Sequence, residues 1–173
     1  MSAPLRRAGH ARLAEGSAVT WTVAEGAKGR RWREVVTRDG MIVHSLLLET
    51  FPDGRFAHLE LSTPAGLLTL HPEGDGTLHG NAVAGGGVRH VVGPAWPPGA
   101  VVLVEGSSIA MAAAGASAGR RAIVVHSDLS LESRVLGGAE PWPAAEADGT
   151  PRIEGGASWP LELDRTAEGV SDG

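Results

Sequence analysis

The chain has 173 residues and a mass of 17.8 kDa, enough for one domain with its own core. Hydrophobic residues are 42% and charged residues 20%, a globular balance, and the net charge of -5 argues against a protein that grips phosphate backbones with cationic side chains. Cysteine is absent, which excludes disulfide frameworks, thiolate metal sites, cysteine nucleophiles and iron–sulfur clusters.

The opening segment Pro4 to Gly16 reads as a short helix or an N-terminal arm, with Leu5, Ala8, Ala11 and Leu13 as its apolar stripe. Arg6 and Arg7 are followed by no apolar run of signal-peptide length, so a cytoplasmic, soluble protein with no membrane insertion is expected. From Ala18 the apolar period becomes two. Strands are predicted over 18–23, 30–36, 41–50, 55–63, 66–71, 77–83, 87–92, 100–106, 108–113, 121–135 and 158–164, punctuated by Asp39-Gly40, Asp53-Gly54, Gly74-Asp75-Gly76, Gly85-Gly86-Gly87 and Pro97-Pro98-Gly99. No helical pattern alternates with them, which argues against a nucleotide-binding βαβ fold. The expected architecture is all-β: a mostly antiparallel barrel or β-roll of about ten strands over 18–136. A Gly/Pro-rich loop follows over 137–157, pinned by Trp142 and Ile153, then a last strand and tail over 158–173.

One hairpin can be set in register. With a two-residue Asp53-Gly54 turn, Phe51 faces Phe56, Glu49 faces His58 and Leu47 faces Glu60, while Leu48 meets Leu59 and Leu46 meets Leu61 on the opposite face. The second face is aliphatic and must be covered. The first mixes phenylalanine, imidazole and carboxylate, as either a wet cavity wall or an ordinary outer face would.

Catalytic motifs are weak. Gly115-Ala116-Ser117-Ala118-Gly119 matches the G-x-S-x-G elbow in form, but the residues after it read as a strand, so a turn is the better reading and no catalytic residue is assigned. Seven histidines include His44, His58, His79 and His90, which cross-strand pairing could gather as in cupin-like metal sites. The cupin signature is missing, and no metal ligand or cofactor is assigned. Glu49 and Glu60 share one hairpin face and are candidate acids or rim carboxylates. Five tryptophans, Trp32 among them, either line an apolar pocket or fill the core. Lys28 is the only lysine against fourteen arginines, and glutamine and tyrosine are absent. Base-composition bias and heat adaptation both account for this; heat adaptation predicts an unfolding midpoint above about 80 °C.

The order of the strand AVTWTV, the long hairpin MIVHSLLLETFPDGRFAHLEL and the run GLLTLHPEGDGTLHGNAV resembles a bacterial glycolipid-binding family of spiral β-rolls, similar to the periplasmic lipoprotein carriers. The resemblance spans Trp21 to Met111. GPAWPPGAVVLVEGSSIA lacks the family's downstream T-P-x-T-N stretch and paired arginines, so no functional residue is carried over. The resemblance implies a curved antiparallel sheet around an apolar cavity. The leading expectation is a non-catalytic protein that binds an apolar or amphipathic small molecule, lipid- or glycolipid-like, through Trp32, His44, Glu49, Phe56, His58, Glu60, His79 and His90. The alternatives are a histidine-based metal enzyme and an interaction protein, a homodimer for instance, that uses exposed strand edges.

Overall fold

The computed structural model describes residues 4–115, 119–138 and 144–161. Strands β1 (Arg6–Arg12), β2 (Ala18–Gly26), β3 (Gly29–Arg38), β4 (Met41–Thr50), β5 (Phe56–Thr63), β6 (Gly66–Pro72), β7 (Thr77–Ala84) and β8 (Gly87–Ala95) form an antiparallel meander. Strand β14 (Ala157–Pro160) joins it beside β1, so the nine-stranded order is β14-β1-β2-β3-β4-β5-β6-β7-β8. The fold is therefore all-β and mostly antiparallel, as the period-two pattern requires. The sheet is open: β14 and β8 are its edges and it does not close into a barrel.

One face of this sheet, the inner one, is mostly apolar across its width. Trp21, Trp32, Leu46, Leu48, Leu59, Leu61, Leu68 and Leu70 are buried there. A second unit covers it: β9 (Val101–Val104), α1 (Ser108–Ala114), β10 (Arg121–Val125) and β11 (Leu131–Val135), in the order β11-β10-β9. Val102, Val104, Ile123 and Val125 face the large sheet together with Ile109 and Ala110 of α1. The interior that the roll expectation leaves for a ligand is thus filled largely by the chain itself. Each large aliphatic side chain so buried contributes about 1.5–3 kcal/mol from removal of its surface from water.

Four local expectations are corrected. The first turn of the chain is a strand, not a helix: β1 pairs with β2 from Arg6↔Ala24 to Arg12↔Ala18. Its residues have little apolar surface for a helical stripe, and ladder partners on both sides outweigh local propensity. SIAMAA is helix α1 rather than a strand. Alanine is the strongest helix former, the Ser107 hydroxyl accepts the Ala110 N–H at 3.0 Å, and Gly115 ends the helix at φ 69°. Because α1 links β9 to β10, those two strands run parallel, a small βαβ unit within an otherwise antiparallel fold.

The segment 121–135 is not one long strand but a β10–β11 hairpin. Leu129 occupies the left-handed region at φ 67° with its side chain buried, and the His126 N–H donates to the Ser130 carbonyl across the turn. Finally, the loop 137–157 contains a short hairpin, β12 (Ala144–Ala145) with β13 (Pro151–Arg152). Arg7 and Arg30 hold it down: one guanidinium lies 3.3 Å from the Asp148 carboxylate and the other donates to the Asp148 carbonyl at 3.0 Å. Ile153 packs on the core as expected, while Trp142, Ser117 and the tail beyond 161 lie outside the described residues.

The β4–β5 hairpin shows how two deviations offset each other. The loop is three residues, Pro52-Asp53-Gly54, with Gly54 left-handed at φ 83° and the Phe51 N–H donating to the Arg55 carbonyl. A bulge at Ala57 absorbs the extra residue, so Glu49↔His58, Leu48↔Leu59, Leu47↔Glu60 and Leu46↔Leu61 pair as the sequence predicts. At the tip the prediction fails: Thr50, not Phe51, faces Phe56. Phe56 turns inward against Trp96 and Phe51 stays outside.

Candidate functional site

The inner face alternates Trp32, Glu34 and Val36 along β3, and it places Glu34 among apolar neighbours. An isolated carboxylate there is costly unless partnered. Its partner is His44, on the adjacent strand β4. Glu34 Oε1 lies 2.7 Å from His44 Nε2, with side-chain exposures of 0% and 6%. The other carboxylate oxygen accepts the Ile109 N–H at 3.4 Å, at the first turn of α1. With the carboxylate accepting, Nε2 carries the shared hydrogen and Glu34 fixes the ring's orientation. Nδ1 has no protein partner among the described residues.

His44 lines a pocket of about 340 Å³. The pocket opens where the end of the large sheet meets the carboxyl ends of the parallel strands β9 and β10, where βαβ units commonly present their ligand loops. Its wall is apolar: Leu13, Val36, Val43, Leu61 and Val104. Its rim is polar and tied together. Arg38 donates to the Ser17 hydroxyl at 3.0 Å and lies 3.9 Å from Glu15. The Thr63 hydroxyl donates to the Ser127 carbonyl at 2.8 Å, and Glu105 accepts the Ser127 N–H at 3.3 Å. Next to this rim, the Ser130 hydroxyl and then its backbone N–H donate to Asp128, which holds that carboxyl below the usual carboxylate range.

The residues that the sequence nominates divide between the two faces. Trp32 and Phe56 are in the core, and the Trp32 indole N–H is buried with no partner among the described residues. Glu49, His58, Glu60 and His79 point outward. Glu49 pairs with Arg31 at 2.6 Å, His58 with Glu60 at 3.1 Å, and His79 with Asp75 at 3.8 Å. Glu49 and His58 sit opposite each other in register, yet each takes another partner. His90 stands on β8 opposite Asn81. Of the eight, only His44 opens on the pocket described above.

The gathering of His44, His58, His79 and His90 into one cluster does not occur, because His44 faces inward and the others outward. Among the described residues no three histidine or carboxylate side chains converge as a metal site requires. No helix among the described residues is long and apolar enough to cross a membrane. No motif in the sequence singles out Glu34, although a signal is present. It stands in phase with Trp32 and Val36, an acid on an apolar face, and such an acid needs a buried partner. Compared with known protein families, with curated proteins and with solved structures, the chain matches none.

Proposed function

We propose that this chain is a non-catalytic binding protein that holds a small amphipathic molecule in the pocket above His44. The observation that carries the reading is the combination of an apolar wall with one oriented imidazole whose Nδ1 has no protein partner among the described residues. Such a site takes an apolar body and a single hydrogen-bond donor, a hydroxyl or an amine, which Nδ1 accepts. A volume of about 340 Å³ lies near the lower end of small-molecule pockets, so the bound part is short. The resemblance to glycolipid-binding rolls supports the same ligand class. Filling of the inner face by α1, β9 and β10 restricts the ligand to the sheet end rather than the sheet centre.

A second reading rests on the same pair. A carboxylate-oriented imidazole beside a pocket is also the arrangement of a general base. Native mass spectrometry of freshly purified protein, followed by solvent extraction, separates the two. Binding predicts an intact adduct of a few hundred daltons that is lost in Val43→Trp, which fills the pocket, and weakened in His44→Gln. Release of a cleaved product, abolished in Glu34→Gln, supports catalysis. A bare chain mass, together with no thermal shift across a panel of short-chain alcohols and amines, overturns both.

A further inference from the structure

We propose that strand β8 is the pairing edge for a second copy of this chain, in an antiparallel register centred on His90. Strand β8 is the last in the nine-stranded order, and among the described residues no strand pairs with its far side. It follows β7 through a two-residue turn closed by Ala84↔Gly87, and the register continues without a shift to His79↔Val92. Hydrogen-bonded and non-hydrogen-bonded pairs alternate from that turn, so Gly87, Arg89 and Val91 bond to β7. The N–H and C=O groups of Val88, His90 and Val92 therefore point away from the sheet. Further along, Gly93 at φ 89° and Pro94 end the regular edge.

The sequence between is self-complementary under a two-fold axis. With His90 opposite His90 of the second copy, Val88 faces Val92 of that copy, and the reverse. These valines are 63% and 72% exposed, on the outer face. They are not scattered. Leu67, Val83 and Val88 stand side by side across β6, β7 and β8, all exposed, and the second copy's Val92 continues that stripe. Over this stretch the edge carries no lysine and no proline; its one charged side chain, Arg89, stands in register with Ala82 on the inner face, away from the outer valine stripe. No acidic residue lies in β8, so an acidic peptide is the competing occupant, facing Arg89 and His90. Valine on valine favours the second copy. Strand pairing plus one apolar stripe makes an interface at the small end, below about 1,200 Å², so the dimer is weak and forms as concentration rises.

The test is sedimentation equilibrium of the full chain up to about 0.5 mM, a range suited to micromolar association. The wild type is expected to pass from monomer to dimer. His90→Pro removes an outward N–H without touching the β7 ladder, and Val92→Lys places a charge on the stripe. Each is expected to weaken dimerisation at least tenfold with an unchanged circular dichroism spectrum. If the proline variant fails to fold, the lysine variant decides. Hydrogen exchange adds a positional readout: the amides of Val88, His90 and Val92 gain protection at high concentration. A monomer throughout overturns the proposal. So does a dimer that both variants retain, an assembly that grows beyond two copies, or concentration-dependent protection that falls on β11 or β14 instead.

Discussion

The two faces of the large sheet each carry a histidine–carboxylate pair, and the two pairs are not equivalent. Glu34 and His44 sit on the inner face at 2.7 Å, with Glu34 fully buried against the first turn of α1 and His44 bordering the pocket. His58 and Glu60 sit on the outer face at 3.1 Å, within reach of water. The groups are the same and the distances similar. Water competes for both members of the outer pair and screens them, so their attraction contributes little. Glu34 is fully buried, so each member of the inner pair depends on the other far more than the outer pair's members do. The same difference explains why only the inner pair suits a binding or chemical role. Its imidazole is held beside an apolar wall, while the outer imidazole bonds a carboxylate that is about half exposed to water.

The largest expected effect breaks the inner pair. His44→Leu leaves the Glu34 carboxylate buried with only a long bond to Ile109, and is expected to lower stability by about 3–5 kcal/mol in urea unfolding. If the loss is under about 1 kcal/mol, water reaches Glu34 and the contrast between the faces fails. Next is Gly80→Ala, which probes how closely inner-face backbones approach. A Cβ there lies 1.8 Å from the Thr69 carbonyl oxygen, which cannot move without parting β6 from β7. A loss of about 2 kcal/mol or more is expected. His58→Ala on the outer face is expected to change stability by less than about 0.5 kcal/mol.

Smallest are the acid effects in the exposed turns. Hydrogen bonds from Arg55, Thr77 and Ser130 hold Asp53, Asp75 and Asp128 below the ordinary carboxylate range. A depressed folded pKa stabilises above the unfolded value near 3.9 and loses that contribution as pH falls through the folded one. Unfolding midpoints measured between pH 5 and pH 2 are expected to fall less steeply in the triple Asp→Asn variant than in the wild type. Equal slopes would show that these turns do not contribute to acid sensitivity.

Much of the meander can be read along the chain. Alternation in MIVHSLLLET and HLELS places Leu46, Leu48, Leu59 and Leu61 on one face, and burial of that face then pins the register. The register survives even though the loop length was misjudged, because the bulge at Ala57 keeps the aliphatic residues in phase. The tip went the other way: Phe51 and Phe56 looked like partners only while the bulge was unknown. In SSIAMAAAG the alternation misled. Alanine satisfies a period of two as readily as 3.6, and the signals that decide are the Ser107 cap and the Gly115 stop. Leu129 concealed a turn in a similar way, since a leucine at positive φ costs about 1–2 kcal/mol and is seldom assumed. Burial of its side chain offsets that cost.

The candidate site divides along the same line. His44 is visible in the sequence as a histidine on a strand, and Glu34 as an acid in phase with Trp32. That they meet needs the β3–β4 register, where a bulge between Val36 and Thr37 shifts the pairing near the strand end. By itself the amino-acid order determined the all-β class, most strand positions, the apolar inner face and the absence of any thiol chemistry. These follow from side-chain period and residue type, which are local properties. Only the tertiary structure decided that β14 joins β1, that β9 and β10 lie parallel over the inner face, and that a pocket remains at their ends. Those features depend on which distant surfaces bury one another, and burial is a property of the whole chain rather than of any segment.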